Sequence, residues 1–354
     1  MILKELYLHN FRNFGVAQVK FGRGINLICG DNGQGKTNLL EALFLLSTGR
    51  SFRTQHLSEL IYHEKGFFFL EAKIVQNSVT ETLGLSFDGQ AKRVEHNAMR
   101  FSSFQPLLGL LPSTLFAPQD LDLIVGSPAY RRRFLNLHLA QSDPLYVHHL
   151  LRFHRALKQR NSLLRYQSQE GIEVFEQEMA LSAAYLFEKR NDLLRELNDH
   201  LQDTCKKLSS EPLQLRYFPS QSTQEPLQTS YLAQLQKNRS RERQLGISLH
   251  GPHRDDFLIL LEDKPARLFA SEGQKRTAIA ALRLAEWRRL AKQVDLPPLF
   301  GIDDFEMHLD QRRQGLFQDA LNELGQVFIT TPQTLPVWKN VQKVAIQGGA
   351  VSYL

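Results

Sequence analysis

Ile25-Asn-Leu-Ile-Cys-Gly30-Asp-Asn-Gly-Gln-Gly35-Lys36-Thr37 is an apolar strand running into a glycine-rich loop, and Asn38-Leu-Leu-Glu-Ala-Leu-Phe-Leu-Leu46 behind it is built of helix formers. The loop has the spacing G-x4-G-K-[ST] in the context of strand, loop and helix that this pattern requires. Glycines let backbone N–H groups converge on phosphate oxygens, and the helix N-terminus turns the positive end of its dipole on the same point. The candidate nucleotide-binding residues are therefore Gly30, Asp31, Asn32, Gly33, Gln34, Gly35, Lys36 and Thr37. Lys36 would reach the β- and γ-phosphates and the Thr37 hydroxyl would hold Mg²⁺. A plain glycine-rich turn is the other reading, and the correct flanks on both sides disfavour it.

Such a loop needs an acidic partner on a second strand. Leu299-Phe-Gly-Ile-Asp303-Asp304 is an apolar segment ending in paired carboxylates. Asp303 would contact Mg²⁺, and Asp304 would orient or deprotonate the attacking water as the catalytic acid–base group. Taken alone the pair reads as well as a solvated strand end. Its position 266 residues beyond Thr37 is too distant for a compact GTPase-like core and suits an ATPase whose core is interrupted by an inserted domain. Between the two lies Ser271-Glu-Gly-Gln-Lys-Arg276, opening a helix. Ser271 can cap that helix, and its free N–H groups make an anion site. The tetrapeptide alone is an N-capped helix. Placed 32 residues before Asp303, it stands where an ABC-type signature, S-x-G-Q, belongs, so Ser271, Gly273 and Gln274 are candidates to bind the γ-phosphate held by another subunit.

The chain has 354 residues, 43 Lys+Arg against 37 Asp+Glu, and a net charge of +6. At about 150 residues per domain this is about two domains. A hydrophobic content of 42% excludes a disordered chain. No run of about 18 uncharged apolar residues occurs, so no membrane partner is expected. The opening MILKELYLHNFRNF has no basic segment followed by an apolar core, and two cysteines, Cys29 and Cys205, are too few for a disulfide framework or zinc site. A soluble, cytoplasmic protein is expected. The mild positive balance permits nucleic-acid binding without demonstrating it.

The first 120 residues read as β-rich with one strong helix: strands over 2–8, 16–21, 67–75, 79–87 and 92–95. From Pro128 to Leu208 the periodicity is helical, with Ile172, Phe175, Met179, Ala183, Leu186, Leu193, Leu197 and Leu201 mostly three or four apart. The polar run 167–170 and Gly171 break it, which predicts an arm folded back on itself. After a polar linker at 219–226 come a strand over 257–261, a helix over 273–292, a strand over 299–302, a helix over 311–324 and a strand over 327–330. The fold class is α/β: a P-loop ATPase head of ABC type with a β-rich N-terminal lobe, residues 1–127 and 211–354, interrupted by an inserted helical arm domain, 128–210.

Several separate stretches resemble the RecF family of SMC-related ATPases. They are Leu8-His-Asn-Phe-Arg-Asn-Phe14, Leu115-Phe-Ala-Pro-Gln-Asp-Leu121, Gly126-Ser-Pro with Arg131-Arg-Arg-Phe-Leu135, Leu157-Lys-Gln-Arg-Asn-Ser-Leu-Leu164 and Gly251-Pro-His-Arg-Asp-Asp256. They span nearly the whole chain in order, and the arm is far too short for a full SMC coiled coil. The resemblance implies a homodimer closing head to head around two ATP molecules. It further implies binding to single-stranded or gapped DNA and its junctions, work with RecO and RecR to load RecA, and support of the SOS response. Lys36 and Thr37 match the family's Walker A residues, Ser271, Gly273 and Gln274 its signature, Asp303 and Asp304 its Walker B acids, and Ile329-Thr-Thr331 a segment on the γ-phosphate side.

The chain departs from the family pattern in three places. Pro297, Pro298 and Gly301 weaken the Walker B strand, Phe305–Asp310 keeps only the ends of the usual segment, and Asn136 stands where Asp is common. Slow, DNA-stimulated ATP turnover is the resulting expectation. The arm's opening, 127–165, carries eight basic residues against one acid, Asp143, so Arg131, Arg132 and Arg133 are candidate DNA contacts. The same arginines read as well as a solvated face or as inward-pointing bridges. Arg12, Arg50 and Arg53 could face nucleotide or DNA, and His253 and Arg254 read at least as well as structural. The competing functions are an ATP-binding scaffold with negligible hydrolysis and the nucleotide-binding subunit of a membrane transporter.

Overall fold

The computed structural model describes residues 1–167, 170–208, 211–307, 311–332 and 341–354. The polar break at 167–170 lies partly, and Asp310 wholly, outside them. The first segment carries β1 (Ile2–Phe11), β2 (Phe14–Lys20), β3 (Ile25–Cys29), α1 (Lys36–Thr48), β4 (Phe68–Gln76), β5 (Val79–Phe87), β6 (Lys92–His96), β7 (Met99–Phe101) and β8 (Ser113–Phe116). The middle carries α2 (Asp122–Val125), α3 (Pro128–Ala140), α4 (Pro144–Arg165), α5 (Ile172–Leu208), β9 (Leu213–Phe218), α6 (Leu227–Leu245), β10 (Asp256–Leu261), β11 (Lys264–Pro265) and α7 (Ala266–Phe269). The last carries α8 (Glu272–Val294), β12 (Leu299–Ile302), α9 (Gln311–Asn322), β13 (Val327–Thr331), β14 (Gln342–Gln347) and β15 (Ala350–Tyr353).

Contacts group the chain into two compact units, one of residues 1–120, 203–210 and 271–354, the other of 121–202 and 211–270. In the first, an antiparallel sheet runs in the order β2-β1-β4-β5-β6-β7, and a second sheet runs β15-β14-β3-β13-β12-β8. In the second sheet all pairs are parallel except β14–β15. Helix α1 joins both: Leu39 to Ser47 are all buried, and its leucines share one core with Leu6 and Phe11 of β1 and Phe328 of β13. An apolar surface all the way round is what a helix covered on every side requires.

The second unit is not purely helical. Beside α3, α4 and α5 it holds the sheet β11-β10-β9 and α6. The sequence reading put 211–270 with the head; the contacts put these residues with the arm. Long-range polar pairs account for the difference. The buried Arg190 of α5 donates to Asp255 Oδ2 at 2.7 Å, and Arg131 of α3 pairs with Asp256 at 2.6 and 3.0 Å. Helix α6 escapes the apolar pattern because its inward positions are as sparse as Leu227, Tyr231, Leu235 and Glu242.

The expected weakness of β12 is resolved by its neighbours. Gly301 lies in a central strand between β8 and β13. A Cβ there would stand 2.4 Å from the Phe44 ring of α1, so the small residue is what lets the helix seat on the sheet.

Candidate nucleotide-binding site

The strands β3, β12 and β13 run parallel, with Ile302 beside Ile329 and Thr331 beside Cys29. Their carboxyl ends therefore deliver the glycine loop, the Asp303-Asp304 pair and Thr330-Thr331 to one edge of the sheet, the position where open α/β sheets bind ligands. A pocket of about 490 Å³ opens there, lined by Gly33, Gly35, Lys36, Thr37, Arg53 and Asp304 among others. The expected loop residues and the expected acids thus meet, although 266 residues separate Thr37 from Asp303.

Thr37 Oγ1 donates to Asp303 Oδ1 at 2.7 Å, and Thr330 Oγ1 donates to the same oxygen at 2.9 Å. The Asp304 N–H closes the ring by donating to Thr330 Oγ1 at 2.8 Å. Asp303 is 3% exposed. Burial pushes its carboxyl above the usual range and the Asp304 charge adds to that, while the Thr37 and Thr330 bonds oppose it. A buried oxygen facing a threonine hydroxyl at the start of a helix is a donor set for a hard cation. Lys36 Nζ donates to the carbonyls of Gly30 and Asp31 at 2.7 and 2.9 Å, which holds the ammonium within the loop.

Ser271 and Gly273 are exposed at the head of α8. Ser271 Oγ accepts from the Gln274 N–H at 3.2 Å, and Gln274 Oε1 accepts from the Ser271 N–H at 2.8 Å, a reciprocal capping box. Among the described residues lining the pocket none of these three appears.

Other residues take places that sequence alone left open. Arg53 lines the pocket and donates to Asn38 Oδ1 at 2.7 Å. Arg12 is committed elsewhere, gripping the buried Glu41 carboxylate with Nε and Nη2 at 2.9 and 2.8 Å. Arg50 is exposed. Glu306 also lines the pocket and accepts from Thr331 Oγ1 at 3.2 Å, a role with no sequence signal beyond its nearness to Asp304.

For Arg131 the candidate DNA role is corrected. It is 5% exposed, and four of its five N–H groups are used: two on Asp256, one each on the carbonyls of Leu123 and Gly126. Arg132 donates to the Asp255 carbonyl at 3.0 Å and is half-buried, as is Arg133. Asn136 accepts from Tyr146 Oη at 2.7 Å and Arg190 Nη2 at 3.0 Å, so the neutral amide serves that network without a second buried charge. Asp255 accepts from Arg190, Tyr217 and the Ser220 N–H. His253 Nε2 donates to the Ser248 carbonyl at 3.2 Å. The Gly251–Asp256 block is in this way a hub of its unit.

Comparison with known proteins agrees with this architecture. The RecF/RecN/SMC N terminal domain family matches residues 2–347. The DNA replication and repair protein RecF of Protochlamydia amoebophila is 43% identical over 94% of each chain. That of Chlamydia abortus is 38% identical over 95% of this chain and 93% of its own. A solved structure of the recombination mediator protein RecF-ATP in the RecFOR pathway superposes with a TM-score of 0.92 at 30% identity, covering 99% of this chain and 97% of that one. The SmcHead bound to the C-winged helix domain of ScpA, at 16% identity and a TM-score of 0.57 over 100% and 98% of the two chains, shares the fold. With a match over nearly the whole chain and the same head architecture, the chain belongs to the RecF family of DNA replication and repair proteins.

Proposed function

We propose that this chain binds ATP in the pocket above Lys36 and Thr37, closes into a homodimer around it, and hydrolyses it slowly under stimulation by DNA. The observation that carries the reading is the meeting of Thr37, Asp303 and Thr330 at the carboxyl ends of three parallel strands, beside the glycine loop. The structural relative solved as RecF-ATP supports the choice of nucleotide. Loop N–H groups and Lys36 would bind the phosphates, and Asp304, lining the pocket, would orient the attacking water and take its proton. Thr37 and Asp303 fit Mg²⁺ and would hold it; when bound, the ion neutralises charge on the phosphate oxygens. Ser271 and Gly273, exposed at the head of α8, and the half-buried Gln274, with Ser271 and Gln274 held by their capping box, would meet the γ-phosphate held by the second copy.

The cellular role that fits is recombinational repair and replication. The ATP-bound dimer would hold single-stranded or gapped DNA and ss/ds junctions, and would help RecO and RecR load RecA, supporting the SOS response. The relatives' names as DNA replication and repair proteins and a relative's place in the RecFOR pathway support this. With Arg131 committed to Asp256, Arg132 and Arg133 are the candidates on α3 for phosphate contact.

Sedimentation without nucleotide, with ADP and with ATP, each with and without gapped DNA, tests the reading. A dimer should form only with ATP, retain DNA, and be lost in Lys36→Arg. Ser271→Arg should keep ATP binding by one subunit and lose dimerisation. A monomer under every condition would reject the shared site. Binding and dimerisation without turnover, unchanged in Asp304→Asn, would make the protein an ATP-binding scaffold.

A further inference from the structure

The glycine loop is gripped from behind by two segments remote from it in sequence. Asn13, in the turn between β1 and β2, donates from Nδ2 to the Gln34 carbonyl at 2.7 Å. The Gly349 N–H, in the turn between β14 and β15, donates to the same carbonyl at 3.3 Å, and the Gly348 N–H donates to Gln34 Oε1 at 2.5 Å. The carbonyl and N–H of a trans peptide point in opposite directions. Two donors on the Gln34 carbonyl therefore aim the N–H of the next residue, Gly35, away from Asn13 and the hairpin. Gly35 is one of the residues lining the pocket.

The fit is close on both sides. A Cβ at Gly35 would stand 2.6 Å from the Asn13 amide, and one at Gly349 would stand 2.3 Å from the Asn13 carbonyl oxygen. The amide's other end is also committed: Asn13 Oδ1 accepts from Asn38 Nδ2 at 2.9 Å, and Asn38 Oδ1 accepts from Arg53 Nη1 at 2.7 Å. A flipped Asn13 amide would set oxygen against oxygen at Gln34 and nitrogen against nitrogen at Asn38, so its partners define its orientation. One side chain thus ties the loop peptide to the start of α1 and to the arginine over the pocket.

We infer that Asn13 is a positioning residue for phosphate recognition, and that the Gly348–Gly349 turn of the final hairpin completes the same clamp. The inference rests on the ATP reading of the pocket. Removing one of two donors frees the Gln34–Gly35 peptide to rotate, and each phosphate contact made by a rotating N–H weakens. ADP and ATPγS should be affected alike, since such a loop cradles the phosphates common to both.

The full chain is titrated calorimetrically with ATPγS and with ADP as wild type, Lys36→Ala, Asn13→Ala and Gly349→Ala, and each is melted without nucleotide. Asn13→Ala should bind both nucleotides about three- to tenfold more weakly, the effect of one hydrogen bond. Gly349→Ala, which pushes on the Asn13 carbonyl from the hairpin side, should move affinity in the same direction and serves if Asn13→Ala does not fold. Folded variants with lowered melting temperatures but affinities within twofold of wild type would overturn the inference and leave the clamp merely structural. If wild type and Lys36→Ala alike fail to bind ATPγS, the nucleotide reading itself falls and the inference with it.

Discussion

Replacing Gly301 by alanine should loosen the head, although alanine is the better strand former. The new Cβ would lie 2.4 and 2.8 Å from Cε2 and Cζ of Phe44 and 3.1 Å from Cδ1 of Leu40. Carbon atoms in favourable contact stand about 3.5–4.0 Å apart, so the ring must retreat by about 1 Å. It has little room: Phe44 is buried and packs edge-on against Phe52 with ring centroids 6.3 Å apart. Overpacking of this kind costs about 1–3 kcal/mol. Relief of glycine's backbone entropy returns about 0.5–1 kcal/mol, leaving a net loss of about 0–2.5 kcal/mol, centred a little above 1 kcal/mol. In urea the midpoint should fall by roughly half a molar. Phe44→Leu in the same background should recover part of the loss, because the smaller side chain vacates the space the methyl needs, and the two changes should couple by more than about 0.5 kcal/mol. A Gly301→Ala protein as stable as wild type, or a double variant no better than the sum of the singles, would refute the close approach of α1 to β12.

Three further outcomes follow from buried charge. Burial, with Arg254, His154 and Arg132 nearby, pulls His253 down to about 4 from its ordinary value, against the Ser248 carbonyl that favours the charged ring, and its buried Nδ1 has no hydrogen-bond partner among the described residues. The unfolded chain then takes up the proton first, so stability should be lost as pH falls from about 6.5 towards 4. His253→Gln should flatten that loss in melts across the range; an unchanged slope would contradict it. Arg131→Ala should destabilise the second unit by about 2–3 kcal/mol in denaturant, since it strands the Asp256 carboxylate and two carbonyls, and a protein of wild-type stability would show that the pair is idle. Asp303→Asn should raise the melting temperature at pH 7 without nucleotide. Its carboxyl is held above the usual range, so the ionised form costs stability that returns as pH falls through the raised value; a lower melting temperature at pH 7 would oppose this.

The glycine loop was legible because its sequence pattern is contiguous: strand, loop, Lys36, Thr37 and helix follow one another, and the proposed binding groups are backbone N–H groups of that same stretch. Asp303 was legible because an apolar run ending in acids marks a strand end, and the parallel register of β3, β13 and β12 brings that end to the loop. Gly301 read as a weakness because strand propensity counts the backbone and omits the Phe44 ring above it. Arg131 read equally as a DNA contact, a solvated face or an inward-pointing bridge, because charge counts carry no direction. Its acid lies 125 residues away.

The sequence by itself determined the architecture of a P-loop head interrupted by an inserted arm, the glycine loop, and the acids and capped helix that accompany it. Those are properties of local order and spacing. Only the tertiary structure decided that residues 211–270 pack with the arm, that Arg131 points inward, and that Asn13 and the Gly348–Gly349 turn hold the Gln34 carbonyl. Each of those depends on a polar group finding its partner across long stretches of chain. The energy of such a bond comes from desolvation and geometry that exist only once both segments are in place.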